Sequence, residues 1–238
     1  MSVNCAHPKT AILLFARTAR NEALEKKFLP GGSVHDNYRV ADTLLEQTRQ
    51  TLRKSECPTI ITYDTDQRGA GFNERLANAI EDVFALGYEK VISVGSDTPL
   101  LTADHLKQSV QELERQDMVI GPSRDGGVYL LGFTREAYHK ELFLQLPWLT
   151  SRLQQHLLYY ADQVNCNFTL LEELSDVDSA LDLIRLLDDL SHTGFLYRFL
   201  ISLFPSPTVL DTARAVPLSI MELQKALGRR GPPALALR

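Results

Sequence analysis

Several things are scarce in these 238 residues, and each scarcity removes a class of protein. Cysteine occurs three times, as Cys5, Cys57 and Cys166, far apart and in no CxxC spacing. That rules out a disulfide framework or a cysteine zinc site and suits a reducing cytoplasm, the expected location. No apolar run approaches the ~20 residues needed to span a bilayer, and GFLYRFLISLF (194–204), the nearest, is too short. The N-terminus MSVNCAHPKT lacks the charged-then-apolar form of a secretion signal. Basic residues are outnumbered, 25 Lys and Arg against 30 Asp and Glu, a net charge of -5. A general nucleic-acid binder needs a basic face to displace counterions, so nucleic acid is not an expected partner. The six histidines show no metal-ligand spacing, and GxGxxG, P-loop and GxSxG motifs are missing.

What is present is the composition of a globular protein, 44% hydrophobic and 23% charged, at a length that buries a core without staples. Strand-like and helix-like runs alternate. TAILLFA (10–16) is a continuous apolar run, the pattern of a strand covered on both faces. Residues 34–54 set Tyr38, Ala41, Leu45, Thr48 and Leu52 on one helical face, and PTIITYD (58–64) is a second strand. A helix from Phe72 to Leu86 is closed by Gly87, and KVISVG is the third strand. Ala103–Gln116 is the next helix, followed by the strands DMVIGP (117–122) and GVYLLGF (127–133). A helix over 150–163, a strand NFTLLEEL (167–174) and a helix opening near Asp178 complete the pattern. The expectation is an α/β fold, a mostly parallel sheet with helices on both faces. The expected domain runs over 1–190, with residues 191–238 as a helical C-terminal extension and a frayed tail, through which a homo-oligomer can form.

In such sheets ligands sit beyond the carboxyl ends of the strands. VISVGSDTPLL (91–101) places Asp97 there, directly off an apolar run, and Asp64 ends the strand before it. Gly95 and Ser96 let a ligand approach the backbone, and the Asp97 carboxylate is a hard ligand for Mg²⁺ or Mn²⁺. Asp97 also suits a plain turn before Thr98-Pro99. In GPSRDGGVYLLGF (121–133), Asp125 precedes Gly126 and Gly127, with Arg124 and Ser123 alongside; the same residues make a tight inter-strand connection. Asp178, in ELSDVDSALDLIRLL (173–187), caps a helix or holds a metal. The loop RTARNEALEKKFLPGG (17–32) offers Arg17, Arg20, Lys26 and Lys27 to a diphosphate, or is a basic stretch balanced by Glu22 and Glu25.

Taken in order, LLFAR, GFNERLANAIEDVFALG, VISVGSDTPLL, GPSRDGGVYLLGF, PWLTS and SDVDSALDL resemble a bacterial family of unknown function. That family is described as glycosyltransferase-like, of the arsenosugar-biosynthesis or radical-SAM-associated transferase type, in the nucleotide-diphospho-sugar transferase superfamily with a GT-A fold. The resemblance covers residues 10–190. It implies Asp97 and Asp178 as metal ligands, and Asp97 and Asp125 as catalytic residues. It implies Arg17, Lys26, Lys27, Gly95 and Ser96 at the nucleotide phosphates, and Gly126, Gly127, Arg75 and Trp148 at the substrate. Where the family carries a Pro-Gly-x-x-Lys-Thr-Arg loop after its first strand, this chain has RTARNEALEKKF. The implied activity is transfer of a sugar from a nucleotide-sugar donor to a small-molecule acceptor, with Mg²⁺ or Mn²⁺. Nucleotidyl transfer to a phosphorylated metabolite, and a non-catalytic nucleotide-binding scaffold, are the alternatives.

Overall fold

The computed structural model describes residues 9–29 and 31–203. Six strands form one sheet: β1 (Thr10–Ala16), β2 (Thr59–Tyr63), β3 (Lys90–Val94), β4 (Met118–Pro122), β5 (Val128–Thr134) and β6 (Phe168–Leu170). Eight helices accompany them among the described residues: α1 (Ala19–Glu25), α2 (Val34–Ser55), α3 (Phe72–Ala85), α4 (Ala103–Glu112), α5 (Lys140–Leu144), α6 (Leu153–Gln163), α7 (Ala180–Asp189) and α8 (Phe195–Ser202). The strand order is β2-β1-β3-β5-β4-β6. All pairs are parallel except those of β5, which runs against both β3 and β4. The mostly parallel α/β fold is therefore present, with one reversed strand at its centre.

Contacts divide the chain into two units, Met1–Thr18 with Leu44–Asp176, and Ala19–Thr43 with Val177–Arg238. The first holds the sheet. All seven residues of β1 are buried, as its unbroken apolar run demands. One face packs Ala11, Leu13 and Phe15 with Val91, Met118, Ile120, Leu131 and Phe133 against α3, α5 and α6. The other face receives α4, and Gly132 makes the room for it. A Cβ at Gly132 would lie 3.1 Å from Leu113 Cδ1. The α4 N-terminus is closed by Thr102, whose hydroxyl accepts the His105 N–H while His105 Nδ1 accepts the Thr102 N–H. That helix ends at Glu112, four residues before the expected Gln116.

In the second unit, α1 occupies part of the stretch expected to be an open basic loop. The α7 N-cap is Ser179, whose hydroxyl accepts the Asp182 N–H at 3.3 Å. The expected cap, Asp178, lies one residue outside. A shorter side chain that can fold back on N3 takes the position. In α8, Phe195 and Phe199 stack at 6.1 Å and Arg39 lies over Phe199. The rest of the expected extension, 204–238, falls outside the described residues, as does Cys5.

Candidate functional site

Because five strands share a direction, their carboxyl ends lie along one edge of the sheet. Arg17 and Thr18 leave β1 there, Asp64 leaves β2, Gly95 to Asp97 leave β3, and Ser123 to Gly127 turn β4 into β5. Beyond β6 the chain keeps following β4. Leu171 N–H bonds to Ile120 O, Leu174 N–H to Pro122 O, and Ser123 bridges Leu174. The expected strand over 167–174 is therefore three regular residues and a looser strap, which carries Asp176 to the same edge.

Each loop has its own fastening. Asp64 Oδ1 accepts the Thr18 N–H at 2.7 Å, which fixes the exit from β1. The Asp97 carboxylate is folded over the backbone of Gly95, where an added Cβ would come within 2.7 Å of Asp97 Oδ1. Glycine at 95 is thus required by the posture of Asp97. Thr98, buried directly beside it, donates its hydroxyl to Asp176 Oδ1. Tyr129 donates to the Glu172 carbonyl at 3.0 Å, and its ring fills the space beside Gly121 that a Cβ would need. Burial, reinforced by Glu172 and Asp176, pushes the Tyr129 hydroxyl up to about 12.

Asp125 is exposed, and its Oδ1 accepts the Gly127 N–H at 2.8 Å. Gly126 has φ +88, and a Cβ there would lie 2.1 Å from the Ser151 carbonyl oxygen. The Asp-Gly-Gly segment is therefore both a turn and a close backbone contact with the chain entering α6. Ser123 Oγ is buried and makes no hydrogen bond among the described residues. Across the edge, Phe15, Phe72 and Trp148 form an aromatic row at 5.7 and 5.6 Å between successive rings. The Trp148 indole N–H donates to the Phe143 carbonyl, so only the ring is offered to a ligand. Arg75 lies in the first turn of α3, its Nε donating to the Gly71 carbonyl.

The basic candidates separate. Arg17 and Lys27 are exposed. Lys26 is only 13% exposed and pairs with Glu22 at 2.8 Å and Asp178 at 2.7 Å, with the Val177 carbonyl at 3.5 Å. Its ammonium thus ties α1 to the segment before α7. Asp176 was not singled out in the sequence although it stands two residues before Asp178. The signal was the spacing, but the tie to Thr98 is visible only in three dimensions.

Among the described residues, no group of three or more His, Cys, Asp or Glu is arranged to hold a metal ion. Mg²⁺ is commonly held by one or two carboxylates together with substrate phosphates. Asp97, with Asp176 fastened to its neighbour, fits an ion that arrives with a phosphorylated ligand.

Residues 36–150 match the family model described as "Uncharacterized protein conserved in bacteria (DUF2064)". A 2-phospho-L-lactate guanylyltransferase from Methanocaldococcus infernus is 29% identical over 79 residues, 33% of this chain and 35% of that protein. The chain thus spans about a third of the length of that relative. A Desulfovibrio desulfuricans G20 protein, provisionally described as a nucleotide-diphospho-sugar transferase, superposes with a TM-score of 0.73. That match is 21% identical and covers 82% of this chain and 95% of the other, so it establishes the fold. No described helix is long and apolar enough to cross a membrane.

Proposed function

We propose that this chain, whose residues 36–150 match the bacterial family model DUF2064 and whose fold is that of a nucleotide-diphospho-sugar transferase-like neighbour, is a metal-dependent transferase using a nucleotide-sugar donor. The carrying observation is the pair of carboxylates at the carboxyl edge, Asp97 folded over Gly95 and Asp176 held by Thr98. A bound Mg²⁺ or Mn²⁺ would supply Lewis-acid stabilisation of the leaving diphosphate. Asp97 is its first ligand, and Asp176, held by the Thr98 hydroxyl, is the second candidate. The Asp178 carboxylate pairs with Lys26 instead. Exposed Arg17 meets the phosphates with a fork suited to two oxygens. Gly95 and Ser96 allow the diphosphate close to the backbone. Asp125, with one oxygen turned to Gly127, has the other available to orient or deprotonate an acceptor hydroxyl. The Trp148 ring and the glycines 126 and 127 line the acceptor side.

The match to a guanylyltransferase favours a second reading, transfer of a nucleotidyl group from a nucleoside triphosphate to a phosphorylated metabolite. Incubation with Mn²⁺ and a panel of labelled nucleotides separates them. Loss of sugar from a nucleotide sugar supports the first reading, and pyrophosphate release from a triphosphate supports the second. Asp97→Asn should abolish either turnover while the melting temperature stays close to wild type. Turnover that survives this substitution refutes the assigned role of Asp97. No turnover with any donor would leave a nucleotide-binding scaffold.

A further inference from the structure

Three described residues other than glycine have positive φ: Glu56 at 62°, Asn165 at 52° and Leu149 at 60°. Two have a local reason. Glu56 directly follows the last residue of α2, and Asn165 lies just beyond α6, where Cys166 N–H closes back on the Ala161 carbonyl. A left-handed residue after a helix is a common way to end it. Leu149 ends no helix. It lies in the turn Pro147-Trp148-Leu149-Thr150 ahead of α6, at a position where turns usually take Gly or Asn. It is also 77% exposed. A left-handed backbone and a leucine in water both cost stability, and strained residues gather at functional sites.

The turn is well fastened on both sides of Leu149. Before it, Trp148 is anchored by its indole bond to Phe143 and by Phe72, which reaches Phe15 at the carboxyl end of β1. After it, Thr150 Oγ1 donates to Pro147 O, Ser151 O presses on Gly126, and Gln154 N–H bonds to Gly126 O. The segment therefore runs from the end of β1 to the β4–β5 turn. In the sheet order, the end of β3 with Asp97 lies between those two points. Leu149 stands between those two fastenings, on the segment that passes the end of β3.

We infer that Leu149 is a specificity-determining contact, presented in a left-handed turn so that its side chain covers an apolar face of the bound nucleotide sugar beside Trp148. This rests on the nucleotide-sugar reading above. The apolar face can belong to the base or to the C–H face of the sugar. The test uses full-length protein with Mn²⁺ and, separately, GDP, GDP-mannose, UDP and UDP-glucose, followed by thermal melting and titration. Leu149→Gly relieves the backbone and removes the side chain, and Leu149→Asn keeps the conformation with a polar group. Without ligand, both should melt at or above the wild-type temperature. With ligand, both should bind about five- to tenfold more weakly, the range expected when one apolar contact of ~1 to 1.4 kcal/mol is lost. Weakening for all four ligands assigns the contact to the base, and weakening only for the sugar nucleotides assigns it to the sugar. Unchanged affinity in both variants overturns the inference while leaving the transferase reading intact. A marked fall in melting temperature without ligand also overturns it, because Leu149 would then be structural. If wild type binds none of the four, the nucleotide-sugar reading fails and this inference falls with it.

Discussion

Replacing Thr98 by valine removes one hydroxyl and keeps the shape. Thr98 is 4% exposed, and its hydroxyl donates to Asp176 Oδ1 across 78 residues of sequence. A hydrogen bond to a charged group contributes about 1.5–3 kcal/mol net. Asp176 is half-buried, so water replaces part of the lost bond, leaving a loss of about 1–2 kcal/mol. For a chain of this size each kcal/mol moves the melting temperature by roughly 2–4 °C. Thr98→Val should therefore melt about 2–8 °C lower, and Thr98→Ser, which keeps the donor, should recover most of it. A donor to a carboxylate also decides which oxygen faces a ligand. The Mn²⁺ concentration needed for half-maximal nucleotide stabilisation should thus rise for valine and not for serine. Scanning calorimetry with and without Mn²⁺ and GDP reads both effects. If valine and serine variants behave alike, or valine matches wild type, the Thr98–Asp176 link does not organise this edge.

Gly95→Ala places a methyl 2.7 Å from Asp97 Oδ1, so the short carboxylate must swing away. Metal-dependent nucleotide binding should drop at least tenfold in titration while chemical denaturation changes by about 1 kcal/mol or less. Gly126→Ala meets backbone rather than a side chain, 2.1 Å from Ser151 O, at φ +88. A loss of about 3 kcal/mol or more is expected in denaturant titrations, from strain and overpacking together. Tyr129 and Tyr160 are both held neutral by burial, with hydroxyls pushed up to about 12. The unfolded chain loses these protons first, near 10, so the stabilisation from these two groups should be constant below pH 10 and fall between 10 and about 12. Tyr129→Phe should make that decline shallower, as followed by urea midpoints across the range.

The strands that were legible were those whose composition leaves one option. β1 reads as buried because all of TAILLFA is buried, and β2, β3 and α3 fall within two residues of their expected bounds. The reversal of β5 was half legible. Asp125-Gly126-Gly127 is a recognisable hairpin turn with β4, but nothing in GVYLLGF says that its other neighbour is β3. Pairing partners are long-range facts, and an apolar run fits between many neighbours. The stretch after β1 left two readings open for a different reason. Its charges suit a phosphate-binding loop or a basic stretch balanced by Glu22 and Glu25, and Lys26, just after a short helix, pairs with Glu22 and with Asp178. Charge counts do not show which cations already have carboxylates. The position of Asp97 off the end of β3 and the turn at the glycines were legible, but the tie of Asp176 to Thr98 was not. Its meaning depends on a threonine hydroxyl distant in sequence.

The reversed central strand has a consequence for what covers the carboxyl edge. At the carboxyl edge, neighbouring outgoing connections normally crowd one another at a single inter-strand interval. Here β5 begins at that edge, so the ends of β3 and β4 stand two intervals apart, about 10 Å, with the start of β5 between them. The chain leaves β4 by the tight Ser123–Gly127 reversal and returns at once as β5, with no helical crossover. No crossover helix therefore rises over the sheet between the end of β3, which carries Asp97, and the turn that carries Asp125.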